Sequence, residues 1–196
     1  MTNGPDPGRN DLPAGTSRFG MTLFLASLSV LFLASLAGYM IIRLRAPEWP
    51  PEGTPPLPFG LVWSTVALLA SSFTMHRALK GAREGTARCL KGGLTATLLL
   101  GLLFLILQLL NWRALQANSV TAQRDLYGFT FFLLTVLHAV HVIGGIAGLL
   151  RTTAKAYAGA YTPERHEGVV LVSMYWHFLD VVWLVLFAVL YVGNKV

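Results

Sequence analysis

Met174-Tyr175-Trp176-His177-Phe178-Leu179-Asp180-Val181-Val182-Trp183 lies inside an apolar run of about residues 169–192. Everything in that run reads as a membrane span except His177 and Asp180. A carboxylate near the centre of a bilayer costs at least a few kcal/mol, so it has either a buried partner or a job. His177 and Asp180 are three residues apart and share one face of a helix. The patch they form, flanked by Tyr175, Trp176 and Trp183, is therefore expected to face protein rather than lipid.

The surroundings fix the class. Of 196 residues, 54% are hydrophobic and 12% charged, with a mean hydropathy of +0.58. A soluble domain carries about 25% charged residues. This chain has too much apolar surface for a water-soluble core, which makes it an integral membrane protein. Its net charge of +6 is no sign of nucleic-acid binding, because the basic residues sit in short connections between apolar runs. A single cysteine, Cys89, excludes an internal disulfide framework. Residues 1–18 are rich in Gly, Pro, Asn and Asp and lack an apolar segment with a cleavage site. They read as a disordered lead, not a signal peptide, ahead of a membrane domain over 19–196.

Five apolar runs are expected to span the membrane, at about residues 19–42, 59–79, 90–112, 126–150 and 169–192. Each can cross a hydrocarbon core about 30 Å thick at about 1.5 Å per residue. The predicted fold is all-α, an integral membrane bundle of five transmembrane helices. Prolines from Pro47 to Pro58 make the first connection stiff and non-helical. With five spans, the N-terminus and the second and fourth connections share one side, which holds ten of the 15 Lys and Arg. The cluster from Arg77 to Lys91 dominates that excess. The N-terminus is accordingly placed in the cytoplasm and the C-terminus in the periplasm. The same cluster has the chemistry to attract anionic lipid headgroups.

Polar residues inside the runs are few. His138 and His141 share a face of the fourth, where Gly144 and Gly148 follow at the spacing that lets membrane helices approach closely. Gln108 and Asn111 lie in the third, and Ser64, Thr65, Ser71, Ser72 and Thr74 in the second. Such residues are the usual glue between membrane helices. His138, His141, His177, Asp180 and Gln108 are read as a structural polar patch, and Gly144 and Gly148 as packing positions. His141 and His177 fall at similar depth, so their geometry allows a haem between two helices as well as a plain hydrogen-bonded contact. A lone acid makes a poor proton wire, which favours a structural role for Asp180. No nucleophile with its base, phosphate loop or cysteine metal cluster is present, so the chain has no catalytic residues of its own.

Residues 175–183 resemble the signature of subunit III of the haem-copper respiratory oxidases. The resemblance extends over nearly all the spans. Phe19-Gly20-Met21, Leu23-Phe24 and Ser27 look like the opening of that family's first shared helix. Gly101, Phe104 and Gln108 match its next-but-one helix, and Tyr127-Gly128, Thr130-Phe131-Phe132 and His138-x-x-His141-Val142 match the helix before the signature. The chain resembles the short, five-helix form. It departs where the family often carries glutamates: those positions are Leu28, Asn111 and Val170 here. That argues against carrying over any proton-uptake role for a buried glutamate. It also leaves open a distant branch, the subunit-III-like proteins that accompany nitric oxide reductases. The resemblance implies a subunit with no cofactor of its own, haems and copper lying in partner subunits and bound phospholipid being possible. It implies binding to the catalytic subunit I and to subunit II, with support for assembly, lipid binding, proton uptake and turnover in aerobic electron transport. Two other readings are a haem-b membrane anchor and a small transporter; the second lacks the internal repeats expected of one.

Overall fold

A computed structural model describes residues 15–118, 120–123 and 125–193. It contains five helices: α1 (Thr16–Arg45), α2 (Gly60–Arg83), α3 (Ala87–Ala117), α4 (Leu126–Tyr157) and α5 (Glu167–Gly193). Each coincides with one apolar run and extends past it at one or both ends. Of the expected N-terminal lead, residues 1–14 lie outside the described residues, and Thr16, Ser17 and Arg18 form the first turn of α1.

The helices α1, α3, α4 and α5 are long and apolar enough to cross a membrane. The helix α2, expected to be a span over 59–79, does not reach the same apolar level. Ser64, Thr65, Ser71, Ser72 and Thr74 dilute it, and all five are buried or half-buried. The opposite side of α2 carries the exposed Trp63, Val66, Leu69 and Phe73, with the exposed Phe59 just before its start.

The body of the fold is a ring in which α2, α3, α4 and α5 pack in succession and α5 closes back on α2. Among the described helices, α1 packs on α4 and α5 and not on α2 or α3. The α2–α3 seam is the tightest. A Cβ on Gly93 would lie 2.7 Å from the Ala78 Cβ, and one on Gly81 2.7 Å from the Cys89 Cβ. Only backbone-level approach fits there, the use membrane helices make of small residues.

Turn chemistry places the helix ends. Beyond α2, Gly85 takes φ 71° and the Thr86 amide donates to the Gly81 carbonyl at 2.8 Å. Beyond α4, Gly159 takes φ 72° and the Ala160 amide donates to the Lys155 carbonyl at 3.0 Å. Both are left-handed glycine caps, which end a helix sharply. At the start of α4 the Asp125 carboxylate accepts from the Gly128 amide at 2.6 Å, an N-cap. Arg18 donates to Glu167 at 2.8 Å through both Nε and Nη2, tying the start of α1 to the start of α5. That end of the bundle also holds the α2–α3 turn, whose Gly85 abuts Pro163 of the α4–α5 connection. At the other end, Trp49 of the proline-rich connection packs edge-on against Tyr39 of α1 and Tyr127 of α4.

Candidate functional site

The decisive ten residues of α5 build the centre of the bundle. Ser173, Trp176, Asp180 and Trp183 follow at intervals of three or four on one face, and all are buried. Trp176 fills the space between α3 and α4. A Cβ on Gly101 would lie 2.7 Å from its Cη2, and one on Gly145 3.1 Å from its Cε3. Its indole Nε1 donates to the Ser71 Oγ of α2 at 2.9 Å. Two turns on, Trp183 Nε1 donates to the Thr65 Oγ1 at 3.0 Å. The Trp183 ring lies 4.9 Å from Phe104 and 5.1 Å from His138, between centroids. The tryptophans supply both the bulk of the core and its hydrogen bonds to α2.

His177 completes that set: its Nδ1 is hydrogen-bonded to the Ser72 hydroxyl at 2.8 Å. It also lies 3.6 Å from the Asp180 Oδ2, an ion-pair separation too long for a hydrogen bond. Asp180 is 4% exposed, and neither of its oxygens accepts a hydrogen bond. Among the described residues it is the only buried carboxylate. His138, fully buried, has no hydrogen bond at either ring nitrogen. It is enclosed by the rings of Phe32, Phe104 and Trp183. Gln108 is fully buried and likewise unbonded at both side-chain atoms.

His141 points elsewhere. Its Nδ1 lies 2.7 Å from the Leu137 carbonyl of its own helix, and its ring packs on Phe32. So the five residues read as one polar patch do not form one hydrogen-bonded network. His177 and Asp180 lie together, His138 and Gln108 are separately buried, and His141 is satisfied within α4. His141 and His177 each commit Nδ1 to a different helix. Among the described residues no group of three His, Cys, Asp or Glu side chains converges as a metal site.

The expected packing glycines lie at the α4–α5 interface, at ordinary contact distance. A Cβ on Gly144 would be 3.6 Å from the Tyr175 hydroxyl, and one on Gly148 3.5 Å from Val172. The close approaches belong to Gly145 and Gly101, which were not read as a pair from sequence. Their signal is the large ring they clamp, Trp176, which comes from a third helix. The second helix contributes most of the remaining polar contacts. Thr74 Oγ1 lies 2.8 Å from Thr97 Oγ1, and Asn111 Nδ2 donates to the Ser64 Oγ at 3.1 Å. Between α3 and α4, Trp112 Nε1 donates to the Thr135 Oγ1 at 3.1 Å. Leu28, Asn111 and Val170, the positions that depart from the glutamate pattern, are all buried.

Comparison with known proteins matches the sequence of this chain to one family. The family model described as Cytochrome c oxidase subunit III matches residues 12–194. A Cytochrome c oxidase subunit 3 from Synechocystis sp. is 35% identical over 175 residues, covering 88% of this chain and 74% of that protein. A Probable cytochrome c oxidase subunit 3 from Mycobacterium tuberculosis is 32% identical over 173 residues, covering 88% of this chain and 85% of that protein. The Cytochrome c oxidase subunit 3 of Scyliorhinus canicula is 36% identical over 181 residues, covering 89% of this chain and 68% of that protein.

Proposed function

The chain belongs to the cytochrome c oxidase subunit III family, and from that membership we propose that it is the non-catalytic brace of a haem-copper oxidase. It supports assembly, lipid retention and sustained proton uptake by a catalytic subunit I, alongside a subunit II, in a bacterial plasma membrane. The observation that carries this reading is the use of the interior polar groups. Ser64, Thr65, Ser71, Ser72 and Thr74 of α2 all meet side chains of α3 or α5. The interior hydroxyls of α2 are committed to joining helices, as suits a rigid accessory bundle. Haems and copper belong to partner chains in this reading, and this chain holds none. A pyridine haemochrome assay and metal analysis of the pure chain test that, and one haem per chain lost on changing His177 would sink it.

The reading includes α2 as a fifth span. Its 24 residues extend about 36 Å at about 1.5 Å per residue. Its exposed side is apolar, while its polar side is turned to protein, so averaged hydropathy understates it. The N-terminus is cytoplasmic and the C-terminus periplasmic, by the excess of basic residues at the α2–α3 end. A reporter inserted in the 81–85 turn should be cytoplasmic and one after Val196 periplasmic; the reverse pattern would overturn the topology.

Turnover of the whole complex tests the role. Removing this chain should leave the initial rate of oxygen reduction intact and shorten the time for which turnover persists. Loss of all activity from the first cycle would instead place a required proton carrier here, with Asp180 the first residue to examine.

A further inference from the structure

At the basic end of the bundle, small side chains on α3 leave a groove of about 290 Å³ along the closely packed α2–α3 seam. Thr74 and Arg77 of α2 form one wall. On α3, Arg88, Gly92 and Ala96 follow one another at four-residue intervals and form the other. The floor is shallow because Gly92, Gly93 and Ala96 carry little or no side chain. The two guanidinium groups therefore border a narrow apolar slot that runs along the helices.

Neither arginine has an ion-pair partner among the described residues. Glu84, the acid of the α2–α3 turn, lies 3.8 Å from Lys80 instead. Arg77 rests over the Phe73 ring, 6.0 Å from its centroid, at the edge of the exposed apolar face of α2. Such stacking holds a guanidinium in place without neutralising it. Arg83 and Lys91 add positive charge at the same end.

We propose that this groove binds an anionic phospholipid, with Arg77 and Arg88 holding its phosphate and the Gly92–Ala96 slot holding an acyl chain. This names a site for the lipid retention proposed above and rests on the reading of α2 as a membrane span. Two planar cations above an apolar slot match a ligand that is anionic at one end and aliphatic at the other. A free phosphate would use the arginines and leave the slot idle.

The test uses the intact oxidase complex, purified in mild detergent and exchanged with defined lipids, with native mass spectrometry of this chain as the readout. Phosphatidylglycerol should be retained in preference to phosphatidylcholine, and millimolar inorganic phosphate should not displace it. The double change Arg77→Gln and Arg88→Gln should weaken retention about thirtyfold, two surface charges at about fivefold each. Gly92→Leu keeps both charges, and a Cβ there meets nothing within 4 Å. It should also lower retention, by filling the slot. Equal retention of the two lipids would overturn the proposal. So would displacement by phosphate, which marks a free-anion site, or unchanged retention in Gly92→Leu. Should the arginine double variant fail to accumulate, Gly92→Leu decides alone. The reporter in the 81–85 turn separates the two levels: lost lipid selectivity with a cytoplasmic reporter sinks the groove and leaves the topology standing.

Discussion

Helices α1 and α2 are both built from apolar and small residues with interspersed serines, yet they belong to the bundle in different ways. In α1, Ser27, Ser29 and Ser35 each donate to the carbonyl four residues back. In α2, Ser64, Ser71 and Ser72 meet Asn111, Trp176 and His177 of other helices. The glycines divide likewise. A Cβ on Gly20 or Gly38 of α1 would meet nothing within 4 Å, whereas one on Gly81 of α2 would strike α3. The same residue types are local in one helix and structural in the other. What separates them is whether the face that carries them has a partner. Hydropathy ranks α1 as the better membrane helix, and packing ranks α2 as the more integral one.

The largest expected effect lies where α2 and α5 share their core. Trp176→Ala removes a ring clamped by Gly101 and Gly145 and the donor to Ser71. It should cost about 3–5 kcal/mol, read as a fall in thermal stability of the purified complex. A loss no larger than that of a serine variant would break the contrast at its root. Next, Gly93→Val should cost about 1–3 kcal/mol by overpacking the α2–α3 seam, while Gly92→Val, one residue away, should change stability little. Equal effects would show that the seam is looser than its geometry.

Smaller effects test the hydrogen bonds. Thr65→Val, Ser71→Ala and Ser72→Ala should each cost about 0.6 kcal/mol, at most about 1.7. Ser27→Ala and Ser35→Ala should leave stability unchanged. A double-mutant cycle of Ser72 with His177 should show coupling, and one of His177 with Asp180 should show less, given the 3.6 Å separation. A strong second coupling would restore the two residues to one network.

The smallest effect belongs to the tether of α1. The hydrogen bond from Arg18 holds the Glu167 carboxyl below the usual carboxylate range. Its contribution is therefore present above the ordinary carboxylate pKa and is lost as pH falls through the lowered value. Both side chains are about half exposed, so the pair is screened by salt. Glu167→Gln should make protease access to α1 independent of acidification, with little change in the stability of the other four helices.

Much of this was legible in the sequence. All five helices could be placed, because apolar length and proline or glycine punctuation are local properties. The inward face of α5 was legible too, since an acid and a histidine three apart in a membrane run have few places to go. What each polar residue touches was not. Asp180 and His177 share a helix face, but the Ser72 hydroxyl that takes His177 comes from 105 residues away. His138 and His141 share a face as well, yet one is enclosed by aromatic rings and the other bonds its own backbone. Gly144 and Gly148 carry the recognisable spacing, while Gly145 makes the closer approach because a tryptophan from α5 arrives at that height. Spacing within a helix states which residues travel together; it does not state what meets them.

The inward polarity of α2 has a consequence for how the chain is made. A nascent helix is sorted between lipid and water by its own sequence, before its neighbours exist, and α2 carries Ser64, Thr65, Ser71, Ser72 and Thr74 within its apolar run. Only residues 84–86 separate it from α3, which covers that side with Thr97 and Asn111. The two should therefore leave the insertion machinery as a hairpin, α2 stabilised by the helix that follows it. The remaining hydroxyls, Thr65, Ser71 and Ser72, must wait for α5. A ribosome-bound chain truncated before residue 167 would hold α2 half-finished, which makes the arrival of α5 the step that commits these helices to their shape.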